Sequence, residues 1–230
     1  MTSHLASGSR APLSRDRVLR AAIGIADGAG LKALTMRRLA QEVSAEAMSL
    51  YYHVANKEEL LDGIVDMIVE EINAAVGGIA GPATPAEWKP VMRSRVLAAR
   101  EVFLRHPWAP ALFETRTNTS PAVLRYFDGL IALMRAGGFS HDQVHHALHA
   151  LGSRALGFTQ ELFDPNNNGG AAPAEAKDML AGMASQLPHL AGMLMDIVHD
   201  DPGRTLGWCD DQTEFEFGLD IILDGLDRLR

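Results

Sequence analysis

Apolar residues recur along this chain at every third or fourth position, without the strict alternation of a strand, so the pattern predicts an all-α protein. Ser14 is placed to cap a first helix reaching about Ala26, with Leu19, Ala22, Ile23 and Ala26 on its buried face. Asp27-Gly28-Ala29-Gly30 ends it, because glycine accepts the left-handed conformation found beyond a helix C-terminus. Thr35 caps a second helix whose inward face is Met36, Leu39, Ala40 and Val43. After a short turn at Ser44-Ala45, Glu46 to Val54 has room for about two and a half helical turns, anchored by Leu50 and Val54. Asn56-Lys57 starts a long helix to about Ala75, with Leu60, Leu61, Ile64, Met67, Ile68 and Ile72 at the helical period.

Residues 77–85, GGIAGPATP, interrupt that period and mark the expected boundary between two domains. Beyond it the pattern predicts helices over Trp88–Arg105, Pro107–Glu114, Pro121–Ala136 and His141–Phe163. A loop follows at 164–173, then two weaker helical stretches at 174–186 and 188–199. The last helix, Glu214–Leu229, carries Phe215, Leu219, Ile222, Leu223 and Leu226 on one continuous apolar face. The expected organisation is a mobile tail at 1–12, a three-helix unit with its connecting helix at 13–76, and a helical bundle at 77–230.

The short helix after Ser44 is unusual. Its inward anchors leave Ala47, Met48, Tyr51 and Tyr52 on another face, a stripe with two aromatics and almost no charge. Such a stripe is met either by a protein core or by a partner, and a helix-turn-helix entering the DNA major groove is the partner reading. Charge favours the second. The chain carries a net −8, yet residues 1–57 hold eight Lys or Arg against four acids, +4, which leaves −12 for the rest. A basic head on an acidic body is steered toward DNA by one end only.

Two segments here, LTMRRLAQEV and SLYYHVANKEELL, resemble the DNA-binding domain of the TetR family of bacterial repressors, over about residues 14–72. The resemblance implies phosphate contacts from Thr35, Ser49, Tyr51, His53 and Lys57, with Tyr52 on the same DNA-facing surface. It implies a base contact from Arg37, since a guanidinium pairs bidentately with guanine, while Ala47 and Met48 can meet only thymine methyl groups. Glu46 either accepts from a cytosine amino group or favours the helix N-terminus as an acid. The sequence departs from the family at Ser44, where glycine is common.

HPWAPALFETR and FEFGLDIILDGLDRL are similar to the C-terminal domain of tetracycline-repressor-like members, which implies a pocket for a small, largely apolar effector. The candidate wall residues are Phe103, Trp108, Phe113, Tyr126, Phe127, Met134, His149, Phe158, Met193 and Met195, each of which also fits a plain core. The resemblance further implies a homodimer on a two-fold symmetric, double-stranded operator, with the helix from His141 and the last helix joining their symmetry mates. Phe215, Leu219, Ile222, Leu223 and Leu226 would then form the interface, or else pack within one chain.

A different class of function rests on His141, His145 and His149, which recur every four residues with His146 beside them. Imidazoles at that spacing can share a metal ion, so a metal sensor or metal-dependent enzyme is the alternative. No nucleophile motif, phosphate-binding glycine loop or zinc hydrolase signature supports an enzyme, and no cofactor is expected. No run of 18 apolar residues predicts a membrane span, the N-terminus lacks the apolar core of a secretory signal, and a lone Cys209 fits a reducing cytoplasm.

Overall fold

The structure, a computed structural model, describes residues 12–116, 120–157, 182, 184–189, 191–192 and 211–230. Among these the regular structure is helical, with no strand. The elements are α1 (Arg15–Ala29), α2 (Met36–Glu42), α3 (Ala47–Leu50), α4 (Lys57–Gly77), α5 (Trp88–Arg105), α6 (Ala109–Glu114), α7 (Pro121–Ala136), α8 (His141–Gly157) and α9 (Asp211–Asp227). Short 3₁₀ turns at Leu31–Ala33 and Pro85–Glu87 precede α2 and α5.

Helix starts follow local chemistry. Ser14, Thr35 and Ser120 each accept a bond from the backbone N–H three residues on, at 3.2, 3.1 and 3.3 Å, satisfying donors that have no partner inside the helix. At α4, Asn56 accepts from the Glu59 N–H at 2.8 Å while the Glu59 carboxylate accepts from the Ala55 N–H at 2.7 Å. Ser140 and Gln143 form the reciprocal pair at α8, at 3.2 and 2.7 Å.

Some boundaries and faces differ from expectation. α1 runs to Ala29 and buries Val18, Leu19, Ala22, Ile25 and Ala26, with Ile23 only half-buried, because α1 packs on both α2 and α4 and needs a wider apolar stripe. α6 starts at Ala109, two residues late, since Pro107 and Trp108 are used in the turn from α5. The predicted continuation of α8 to Phe163, the loop at 164–173 and most of the two weaker stretches lie outside the described residues.

Packing divides the chain into two compact units, residues 1–148 with Arg230, and residues 149–229, the division falling within α8. In the first, a continuous core runs from Val18 to Ala122, with Leu60, Ile64 and Ile68 of α4 at its centre, all fully buried. In the second, Arg154 of α8 lies over the Phe215 ring at 5.2 Å and bonds the Glu214 carbonyl.

The end of α7 is fitted closely to the start of α5. A Cβ on Gly137 would lie 2.7 Å from the Trp88 Cβ and 2.8 Å from its Cγ, atoms that cannot swing aside, and Trp88 is itself fully buried edge-on to Phe139. Gly137→Ala should therefore cost about 1 to 3 kcal/mol by overpacking. Gly24→Ala, at an open position on α1, should gain about 0.5 to 1 kcal/mol. Thermal melts of the two variants moving in the same direction would contradict this reading.

Candidate nucleic-acid interface and effector region

The turn between α2 and α3 sets the interface. Beyond Glu42, Ser44 takes a left-handed conformation at φ 53°, its N–H bonding the Gln41 carbonyl at 3.1 Å while the Ala45 N–H reaches the Ala40 carbonyl at 2.9 Å. These paired bonds satisfy carbonyls that α2 leaves open, and Arg17 of α1 covers another, the Val43 carbonyl, at 3.1 Å. The conformation is one that favours glycine, so Ser44→Gly should stabilise the protein by about 1 kcal/mol, visible as a raised denaturation midpoint.

α3 itself is shorter than expected. Regular helix spans only Ala47–Leu50, and Tyr51, Tyr52 and His53 continue as turns, with the His53 and Val54 N–H groups both on the Leu50 carbonyl at 2.9 Å. Leu50 and Val54 are buried as predicted. Opposite them, Met48 is 71% exposed, Tyr52 89% and Tyr51 44%, so the uncharged stripe is not covered by the protein's own core. Ala47 is exposed beside them, and Ser49 and His53 are half-buried at the edge of the same face.

The flanking polar groups meet this face. Thr35 accepts from the Arg38 N–H, which leaves its own O–H free to donate outward. Arg37, Arg38 and Lys57 are exposed, and among the described residues none has a carboxylate partner. Arg38 was not singled out from the sequence; its place beside Arg37 in the first turn of α2 was the available signal. The surface is cationic, aromatic and hydroxyl-bearing, suited to phosphates at its rim and base edges at its centre.

The expected effector wall divides. Phe103, Phe113 and Tyr126 are half-buried against the same core, Phe103 and Phe113 edge to face at 5.7 Å, and Tyr126 is 5.9 Å from Phe127. Met134 is fully buried and Phe127 is 42% exposed. Phe158, Met193 and Met195 lie outside the described residues, and His149, on the second unit, is exposed.

Trp108 has a more specific place. Its indole N–H donates to Asp27 Oδ1 at 2.7 Å, and the same oxygen lies 2.8 Å from His106 Nδ1. The other His106 nitrogen is 3.3 Å from Glu71 on α4, which also pairs with Arg105. Burial pushes the Glu71 carboxyl up, but its bonds from Arg105 and His106 outweigh this and hold it below the usual range. The α5–α6 corner is thus tied to α1 and α4 at one point. Earlier on α4, Arg116 pairs with Glu58 at 2.7 Å and Asp62 at 3.2 Å, and Arg125 with Glu70. α4 thus carries a row of acids held by cations from α5, from the segment just after α6 and from α7.

On α9, Phe215, Leu219, Leu223 and Leu226 are buried and Ile222 half-buried within a single chain. The face expected to meet a second copy is already covered. The apolar side chains left open on α9 are Phe217, 64% exposed, and Ile221, 56% exposed, one turn apart. His141, His145 and His149 are exposed, and His146 sits 3.8 Å from Asp142. Among the described residues no three His, Cys, Asp or Glu side chains are gathered to hold a metal ion, so the metal-binding alternative is without support. No helix among them is long and apolar enough to cross a membrane.

Comparison with known proteins agrees with this architecture. The family described as Tetracyclin repressor-like, C-terminal domain, matches residues 81–230. An HTH-type transcriptional regulator of Saccharopolyspora erythraea is 31% identical over 93% of this chain and 84% of its own length. The HTH-type transcriptional repressor DrrR1 of Streptomyces coeruleorubidus is 28% identical over 96% of this chain and 80% of its own. Among solved structures, the Streptomyces coelicolor TetR family protein ActR in complex with actinorhodin superposes with a TM-score of 0.69 at 29% identity, covering 94% of this chain and 97% of that one. With a helix-turn-helix whose outer face is open and a C-terminal region matching the family over its whole length, the chain belongs to the TetR family of ligand-responsive, DNA-binding transcriptional regulators.

Proposed function

We propose that the chain is a homodimeric repressor that holds a two-fold symmetric operator and releases it when a small, largely apolar molecule binds among α5, α6 and α7. The observation that carries the DNA-facing assignment is the exposure of Met48, Tyr51 and Tyr52 directly opposite the buried anchors Leu50 and Val54. Thr35, Ser49, Tyr51, His53 and Lys57 set the register on phosphates, with Tyr52 on the same face. Arg37 reads a base, and Ala47 and Met48 pack on thymine methyl groups. Glu46, just before α3, acts as an acid at a helix N-terminus.

The effector reading draws on Phe103, Phe113, Tyr126 and Phe127, aromatic side chains that are not fully covered, and on ActR, whose structure is in complex with actinorhodin. An effector that favours one setting of the DNA-facing unit over the other by about 2.7 kcal/mol lowers operator affinity about 100-fold.

Selection of bound duplexes from a random pool, followed by anisotropy titration at several salt concentrations, tests the DNA assignment. A two-fold symmetric site with a log–log salt slope of about −5 to −9 is expected for roughly 6 to 10 neutralised phosphates. Asymmetric enrichment would refute the dimeric arrangement. Within that assay, Tyr51→Ala and Lys57→Ala should weaken binding to all duplexes alike, whereas Arg37→Ala should cost about 1 to 3 kcal/mol at particular base pairs and relax selectivity there. Identical selectivity profiles in the three variants would overturn the division of roles.

A further inference from the structure

α1 and α4 run side by side in the same direction, meeting at regular intervals. Arg15 Nε is 3.9 Å from Glu59, and a Cβ on Gly63 would stand 2.7 Å from Leu19 Cδ2, so the absence of one lets α1 lie close there. Farther along, Asp27 is joined to Glu71 through the two nitrogens of His106. Between these ties the two helices leave a groove of about 760 Å³ that reaches from Arg15 to Glu71. Its apolar surface comes from Leu19, Ile23 and Met67; Leu19 is buried, and the other two are half-buried against the core. On α4 the groove face is Gly63, Asp66, Met67 and Glu70, the stripe beside the one that Leu60, Ile64 and Ile68 turn into the core.

The charges around the groove are matched, with one exception. Asp16 accepts from Arg20 at 2.8 Å, Glu70 pairs with Arg125, and Glu71 is held by Arg105 and His106. Arg15 faces Glu59, so neither arginine of the lining is left over for an anion. Asp66 is the exception: it is half-buried, and among the described residues no hydrogen bond or ion pair reaches it. A carboxylate drawn partly out of water beside Met67 and Ile23 loses some solvation without gaining a counter-charge. A cation that brings its own apolar body restores the balance and covers the exposed side chains at the same time.

We propose that the groove between α1 and α4 is a second ligand site, which takes a lipophilic monocation: an ammonium on a short arm from one or two fused rings. The ammonium donates to Asp66, and the rings lie on Leu19, Ile23 and Met67. The volume is within the ordinary range for small-molecule sites, and a single free carboxylate calls for a single charge. The walls are α1 and α4, so this site is separate from the aromatic side chains of α5, α6 and α7 on which the effector reading draws, and it stands whether or not that reading does.

The probes are 2-naphthylmethylamine, its neutral counterpart 2-naphthylmethanol and its anionic counterpart 2-naphthoate, titrated calorimetrically into the full-length protein. The amine should bind about 5- to 50-fold more tightly than the alcohol, and the carboxylate more weakly than either. Asp66→Asn keeps the shape of the side chain and should bring amine and alcohol within about twofold of each other, with alcohol binding unchanged. Ile23→Trp fills the groove and should abolish binding of both; Met67→Trp serves the same purpose if the first variant does not melt cooperatively. Circular dichroism melts like the parent's show that the variants fold. Equal binding of amine and alcohol, no binding of the amine, or tighter binding of the carboxylate overturns the proposal. So does an amine preference that survives Asp66→Asn or a filled groove, since the cation would then be held elsewhere, as among α5, α6 and α7.

Discussion

Asp27→Ala should lower the melting temperature by roughly 5 to 10 °C, the largest loss expected from any single carboxylate described here. Asp27 Oδ1 serves both the Trp108 indole N–H and His106 Nδ1, and both rings are buried at the α5–α6 corner. Truncation leaves these groups without a partner and out of reach of most water, at about 2 to 3 kcal/mol for the pair. Asp27→Asn keeps a carbonyl oxygen for the indole and should recover much of the loss; an alanine variant as stable as the parent would show that the contact contributes nothing. The neighbouring carboxylate gives the corner a pH dependence of defined sign. Glu71 is held below its ordinary range in the folded state, so its contribution is present above its unfolded pKa and lost as pH falls through the folded one. Melting temperature should decline on the acid side, less steeply in Glu71→Gln.

Phe217→Asp with Ile221→Asp should convert the protein to a monomer by light scattering and weaken operator binding by about 100- to 10,000-fold, because two half-sites would no longer be held by one particle. Both side chains are more than half exposed on α9, so the folded monomer should lose little stability, within about 0.5 kcal/mol. Leu219→Asp is the contrasting case. Leu219 is fully buried in a single chain, and an aspartate there should unfold the protein rather than dissociate it. A double variant that stays dimeric would place the two-fold contact elsewhere; a folded, monomeric Leu219→Asp would return it to the face first read from the sequence.

The covered face of α9 shows what a single sequence carries. Phe215, Leu219, Leu223 and Leu226 announce a buried face by their spacing, but periodicity is blind to which chain does the covering. Phe217 and Ile221 gave no comparable stripe, since Gly218, Asp220, Asp224 and Gly225 interrupt it. Features fixed by near neighbours were legible: the caps at Ser14, Thr35 and Asn56, the extents of α5 and α7, and the anchoring of α3 by Leu50 and Val54. The open face of α3 followed, since two anchors one turn apart fix where the other side chains point. Long-range pairings were not legible. Asp27 meets His106 and Trp108 across 79 and 81 residues, and in the sequence it reads only as part of a helix-ending DGAG.

The bond from Trp108 to Asp27 also makes the protein its own optical instrument. Indole emission depends on what the ring N–H donates to, and this one donates to a carboxylate at the end of α1. Any rearrangement that parts α1 from the α5–α6 corner must change the colour or yield of that fluorescence. Trp88, enclosed against Phe139, supplies a steady background. With Trp208 replaced by phenylalanine, the response of the DNA-facing unit can be followed in real time in unlabelled protein.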